Sequence, residues 1–191
     1  MGGTFCHLHP RSQGAAVNFI ETPLVGAYVI EVEPAKDSRG LFARTFDADT
    51  FHAKGLQPTF VQCNTSFNKY RGTLRGMHFQ VAPHAETKLV RCTHGSIYDV
   101  IVDLREDSAT YREWFGVELK SRERRMLYVP EGFAHGFQTL RDDCEVFYQM
   151  GSPYCAEASG GVRWDDPAIG IRWPVPAKHL SPKDRTLPYL D

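Results

Sequence analysis

At 191 residues the chain has the length of one domain and can bury a core without disulfide or metal staples. Its 22 lysines and arginines against 23 aspartates and glutamates leave no positive field to hold nucleic acid or an anionic membrane surface, so an anionic ligand has to be met by a local cluster. No stretch reaches the roughly 20 apolar residues of a membrane span, and the N-terminus lacks a charged start followed by an apolar run; a soluble, cytoplasmic protein is expected.

The five cysteines, Cys6, Cys63, Cys92, Cys144 and Cys155, are scattered and form no CxxC pair, which suits reduced thiols better than a disulfide framework or a zinc site. Cys6, His7 and His9 are close enough in sequence to share a metal, but no strand or helix pattern surrounds them to fix the geometry. Residues 1–18 are therefore read as a flexible tail and 19–191 as a single domain.

In chain order, β-rich runs are expected at 26–33, 41–46, 59–66, 73–80, 88–93, 96–104, 114–119, 125–129, 135–140 and 145–150, broken by turn signals such as DSRG, FNKYRG and VPEG. The run 96–104 sets Ile97, Val100 and Val102 among polar neighbours and reads as a half-buried antiparallel strand, with 114–119 less regular. Only 47–55 reads as a helix, capped by Asp47 or Asp49 and stopped by Gly55. The proline-rich end, 164–188, should wrap over the surface. So many short strands imply an all-β sandwich, jelly roll or barrel with few short helices.

Strand 73–80 contains GTLRGMHFQ. A period of two sets Leu74, Gly76, His78 and Gln80 on one face and Arg75, Met77 and Phe79 on the other. An interior histidine there needs a polar partner, and on this strand alone it is equally well a satisfied core residue. Lys88 shares its parity with Val90 and Cys92; a lysine pointing into a barrel is costly unless an anion pairs with it. His135 lies where a turn feeds an apolar strand, and Tyr148 sits on a strand whose other face carries Phe147 and Gln149. Either is unremarkable alone. A metal-binding cupin strand carries His-x-His, whereas this one reads His78-Phe79-Gln80; His78 and His135 are too few ligands for a firm zinc or iron site.

Taken in order, DSRGLFARTF (37–46), FVQCNTS (60–66), GTLRGMHFQ (72–80), KLVRC (88–92), DVIVDLR (99–105), VPEGFAHGF (129–137), VRWDDPAIGIRWP (162–174) and LSPKD (180–184) resemble the dTDP-4-dehydrorhamnose 3,5-epimerase family. The resemblance implies a cupin jelly roll, a double-stranded antiparallel β-barrel. It implies an isomerase of deoxysugar biosynthesis that needs no cofactor or metal and epimerises a 4-keto-6-deoxy nucleotide-diphosphate sugar at C3, C5 or both.

Residue by residue, it makes His78 the base, Asp184 its paired carboxylate and Tyr148 the acid on the opposite sugar face. Lys88, Arg75 and His135 would line the sugar and the enolate, while Arg39, Phe42, Gln62 and Asn64 would contact the nucleotide. It further implies a homodimer in which the strand GAYVIEVEP (26–34) crosses to the second copy, so that Arg39 and Phe42 complete the partner's site. The chemistry has the same needs: a base near neutrality, a positive stabiliser for the enolate oxygen and a donor on the other face.

Two positions depart from the family pattern: Arg44 stands where an acidic residue is usual, and Gln149 where lysine is common. These leave open the nucleotide and the number of carbons inverted. The rival readings are a single-carbon epimerase or one using another nucleotide, a metal-dependent cupin, and a non-catalytic nucleotide-sugar binder.

Overall fold

A computed structural model describes residues 16–190; Cys6, His7 and His9, with the rest of the proposed tail up to residue 15, lie outside the described residues. The strands, numbered in chain order, are β1 (Val17–Glu21), β2 (Tyr28–Val32), β3 (Ala35–Asp37), β4 (Gly40–Phe42), β5 (Gln62–Asn68), β6 (Leu74–Gln80) and β7 (Lys88–His94). They continue with β8 (Ser96–Asp103), β9 (Trp114–Lys120), β10 (Met126–Val129), β11 (Phe133–Thr139), β12 (Cys144–Met150) and β13 (Ser159–Gly161). One sheet runs β1-β2-β10-β7-β12-β5 and the other β13-β6-β11-β8-β9, while among the described residues β3 and β4 pair only with each other. All the strand pairings are antiparallel, and the architecture is the all-β, cupin-type jelly roll.

Alternation along the strands sends one set of side chains between the sheets. Val90, Cys92, Leu127, Val129 and Val146 from the first sheet meet Ile97, Ile101, Leu119, Phe133 and Phe137 from the second in the largest core cluster. Outside the second sheet, Met77, Val100, Val102 and Ala134 are covered by Val162, Ile169, Trp173 and Leu190 of the C-terminal segment, so the expected wrap is present. That cover corrects the reading of β8 as half-buried. Ile97, Asp99, Ile101 and Asp103 share one face, Val100 and Val102 take the other, and every residue of the strand except Tyr98 is buried.

Helix α1 (Ala48–Ala53) starts where Asp47 caps it, its side chain accepting from the Thr50 N–H; Gly55, at φ +78°, stands just beyond its end, as a helix stop should. Phe51 carries the helix onto the outside of the first sheet, among Ile30, Leu89, Met126 and Tyr128. Arg44 turns to the same cap, its Nη1 3.0 Å from Asp47 Oδ2.

Several boundaries differ from expectation, two of them with a clear physical reason. Val17 and Asn18 belong to β1 rather than to a tail, because pairing with β2 holds them. The run 41–46 is extended only through β4, after which Phe46 leaves to pack edge-on against Phe51 and Phe60. Within this chain β2 is bonded on both edges, by β1 and β10.

Candidate active site

A cavity of about 500 Å³ opens between the sheets at one end of the core. Its walls are set by strand phase. On β12, Tyr148 and Met150 follow Cys144 and Val146 inward; on β7, Lys88 heads the inward set completed by Val90 and Cys92; Gln62 and Asn64 line it from the edge strand β5.

Strand β6 reaches the cavity by breaking its own period. His78 is opposite His135 and Arg75 opposite Phe137 on β11, so three steps on one strand match two on the other. This β-bulge adds one residue and puts Arg75 on the same side as His78, correcting the simple alternation read from sequence. Met77, as the alternation read from sequence has it, faces away from His78 into the apolar layer under the C-terminal wrap. Gly76 makes the bulge possible. Its φ is +125°, and a Cβ there would lie 2.5 Å from Gly136 Cα, so no larger residue fits.

His78 Nε2 lies 2.6 Å from Asp184 Oδ1. Asp184 sits in the short helix α2 (Pro182–Arg185), where its N–H donates to the Ser181 side chain that caps the helix. Burial opposes the charge on Asp184, but the hydrogen bond and charge of His78, then Ser181 and the Gly76 N–H, hold its carboxyl below the usual value. An ionised carboxylate only accepts, so Nε2 of His78 carries the hydrogen and Nδ1 is left as the basic atom.

Across the cavity stands Tyr148. Burial, then the charge of Asp99, pushes its phenol well above the ordinary tyrosine value, against smaller opposing effects of Arg75 and Ser66; at neutral pH it is a proton donor. His135 lies beside it, with ring centroids 6.1 Å apart. Its Nε2 is 2.8 Å from Asp99 Oδ1, and both residues are buried. Lys88, 5% exposed, has its Nζ 2.6 Å from Glu86 Oε1, and Arg75 donates through Nε to Asn68 Oδ1.

The cavity thus gathers His78, Asp184, Tyr148, Lys88, Arg75, His135, Gln62 and Asn64. It does not gather Arg39 and Phe42, which lie on the β3–β4 hairpin; Phe42 is 68% exposed and Arg39 pairs with Asp37 of the same hairpin. Arg44 and Gln149 are also absent from its walls: the first is spent on the α1 cap, and the second has the phase opposite to Tyr148. Glu86 and Asp99 do not stand out in the sequence by residue type. Phase was the available signal, since Glu86 continues the inward set of Lys88 and Asp99 lies between inward Ile97 and Ile101. Lys183 and Tyr154 also line the mouth, with no strand pattern to point to them.

The profile of the dTDP-4-dehydrorhamnose 3,5-epimerase family matches residues 21–191. The chain belongs to this family. A dTDP-4-dehydrorhamnose 3,5-epimerase of Methanothermobacter thermautotrophicus is 48% identical over 174 residues, which are 90% of this chain and 93% of that protein.

Among solved structures, the epimerase of Bacillus anthracis with TDP and pyrophosphate bound superposes with a TM-score of 0.88 at 43% identity, over 92% of this chain and all of that one. The Legionella pneumophila epimerase in complex with dTDP-4-keto-L-rhamnose gives 0.85 at 34%, over 91% and 93%. As a member of the dTDP-4-dehydrorhamnose 3,5-epimerase family, the chain is an isomerase.

Proposed function

We propose that the chain epimerises a 4-keto-6-deoxy sugar carried on a nucleoside diphosphate, dTDP-4-dehydro-6-deoxy-glucose, at C3 and C5, within deoxysugar biosynthesis. The observation that carries this reading is the placement of a carboxylate-backed imidazole and a protonated phenol on opposite sheets, facing one cavity with cations between them. His78 Nδ1 takes the proton beside the ketone, the C–H electron pair becomes the carbon–carbon double bond of the enolate, and the carbonyl π pair moves to the oxygen. Lys88, His135 and Arg75 stabilise the resulting enolate. Tyr148 then delivers a proton to the other face of the carbon as the enolate collapses back to the ketone; the phenolate is reprotonated from solvent and the His78 imidazolium gives up its proton to solvent.

Gln62 and Asn64, on the open edge at β5, suit the nucleotide end. Arg39 and Phe42 join them from a second copy: among the described residues the β3–β4 hairpin pairs only with itself and holds Phe42 out in solvent, so in a homodimer it reaches the partner's cavity. A Phe42→Asp variant is expected to sediment as a monomer and to bind the nucleotide-sugar weakly. Native mass with native affinity would remove the hairpin from the reading.

Metal independence belongs to the same proposal. The cavity lining offers two imidazoles, His78 and His135, too few ligands for a firm zinc or iron site, and among the described residues no three His, Cys, Asp or Glu side chains converge. Stoichiometric iron, nickel or zinc in the purified protein would refute it. The proposed setting is the cytoplasm, with no nucleic acid or membrane as partner, on the near balance of 22 basic and 23 acidic residues.

The deciding experiment incubates the protein with 4-keto-6-deoxy nucleotide sugars in D₂O and locates deuterium by NMR. Label at both carbons is expected. Label at one makes the chain a single-carbon epimerase, and tight binding without exchange makes it a non-catalytic binder.

A further inference from the structure

Each histidine of the cavity is backed by a buried carboxylate, Asp184 behind His78 and Asp99 behind His135, and Lys88 repeats the pattern with Glu86. The two side chains are 6% and 8% exposed, with Nζ and Oε1 2.6 Å apart, and both line the cavity. The backbone on either side of Glu86 is tied down: the Ser152 hydroxyl donates to the Ala85 carbonyl, and the Gly151 N–H to that of Thr87. Glu86 is therefore held by the segment that follows β12, the strand of Tyr148. A buried ion pair is a poor source of stability compared with apolar packing of the same volume, so its position in a cavity wall calls for another use.

We infer that Glu86 is a positioning residue for the epimerisation: its carboxylate keeps Lys88 charged and aimed at the sugar's carbonyl oxygen, and so sets the alkaline end of the activity range. This rests on the reading of Lys88 as the counter-charge of the enolate. Burial alone drives Lys88 toward its neutral form; the charge of Glu86 is the largest opposing influence and that of Asp99 a smaller one. The remaining groups facing the cavity are Arg75 and His78 on β6, His135 on β11, Tyr148 on β12, Tyr154 in the segment after β12, and Lys183 and Asp184 on α2. Of these, Tyr148 is pushed upward by burial, away from the neutral range. With glutamine at 86, Lys88 loses its proton at lower pH, and the protein loses activity as the pH rises through that point.

The test measures kcat and KM against pH, with deuterium uptake from D₂O, for Glu86→Gln, Glu86→Asp and Lys88→Met. Lys88→Met is expected to lower kcat roughly 100-fold or more. In Glu86→Gln the alkaline limb of kcat should move down by about 1–3 pH units, with KM changed far less than kcat at the alkaline end. Glu86→Asp, which keeps the charge but withdraws it by one methylene, should move the limb the same way by less, and decides the matter alone if the glutamine variant does not fold. A limb left in place, or kcat and KM damaged together at every pH, with Lys88→Met still inactive, overturns the role of Glu86. Full activity in Lys88→Met overturns instead the reading of Lys88 on which it rests.

Discussion

His78 and Tyr148 approach the cavity from different sheets, and their removal should fail in different ways. His78→Asn deletes the base and is expected to cut both product formation and deuterium exchange, by roughly 10²–10⁴-fold. Tyr148→Phe leaves abstraction intact, so the first carbon should still exchange while inverted product falls much further; NMR in D₂O reads both. Asp184→Asn keeps the shape of the dyad but removes the charge that fixes the imidazole tautomer and favours the imidazolium. It should lower kcat by about 100-fold or more with KM little moved, and unaltered kcat would detach Asp184 from the base. At this scale much was legible: an inward lysine, a histidine on an interior strand, and ordered motifs that place Asp184 although 106 residues separate it from His78. Glu86 and Asp99 were harder to see, because a lone carboxylate in a strand looks the same in sequence whether it meets solvent or a buried cation.

Among the elements, β6 decides whether the site exists. Alternation is the sequence signal for a strand's two faces, and it holds on β7, β11 and β12, where Lys88, His135 and Tyr148 fall inward, although the sequence reading sets no phase for His135. It fails on β6 because the bulge comes from pairing with β11 and from the close approach of Gly76 to Gly136, neither of which is written in β6 alone. Gly76→Ala should therefore be severe. A side chain at φ +125° costs about 1–3 kcal/mol, and the Cβ would also press on the backbone of β11. We expect a lower melting temperature and, in any folded fraction, lost activity as Arg75 and His78 shift phase; a stable, active variant would show that β6 tolerates regular pairing. The early end of β4 was equally hidden, since Phe46 leaves the strand for an aromatic cluster that only the folded chain assembles.

At the scale of the whole molecule, two large sheets are held at a set spacing, and the response to acid follows from carboxylates buried between and beside them. Asp103 is fully buried. Burial would raise its pKa, but donors from Arg105, Ser108 and Thr110 hold it at about 2, against 3.8 unperturbed. A carboxyl depressed on folding stabilises the protein above about pH 4, and that contribution is lost as the pH falls toward 2, a difference of about 2 kcal/mol. Urea unfolding of Asp103→Asn should show a deficit at pH 7 that shrinks markedly near pH 2.5; an equal deficit at both would assign it to hydrogen bonds alone. The two-sheet plan itself was legible in the strand count and the turns. The double burial of β8 was not, because its outer cover comes from a proline-rich segment more than fifty residues downstream. Opposed sheets have one more consequence. Since the base is anchored in one and the acid in the other, the side chains between them act as a spacer gauge: Phe137, packed against Tyr148 with ring centroids 6.3 Å apart, helps to set how far a proton donor stands from a proton acceptor. Shaving that ring would recalibrate the reaction through thickness alone, with every polar group still in place.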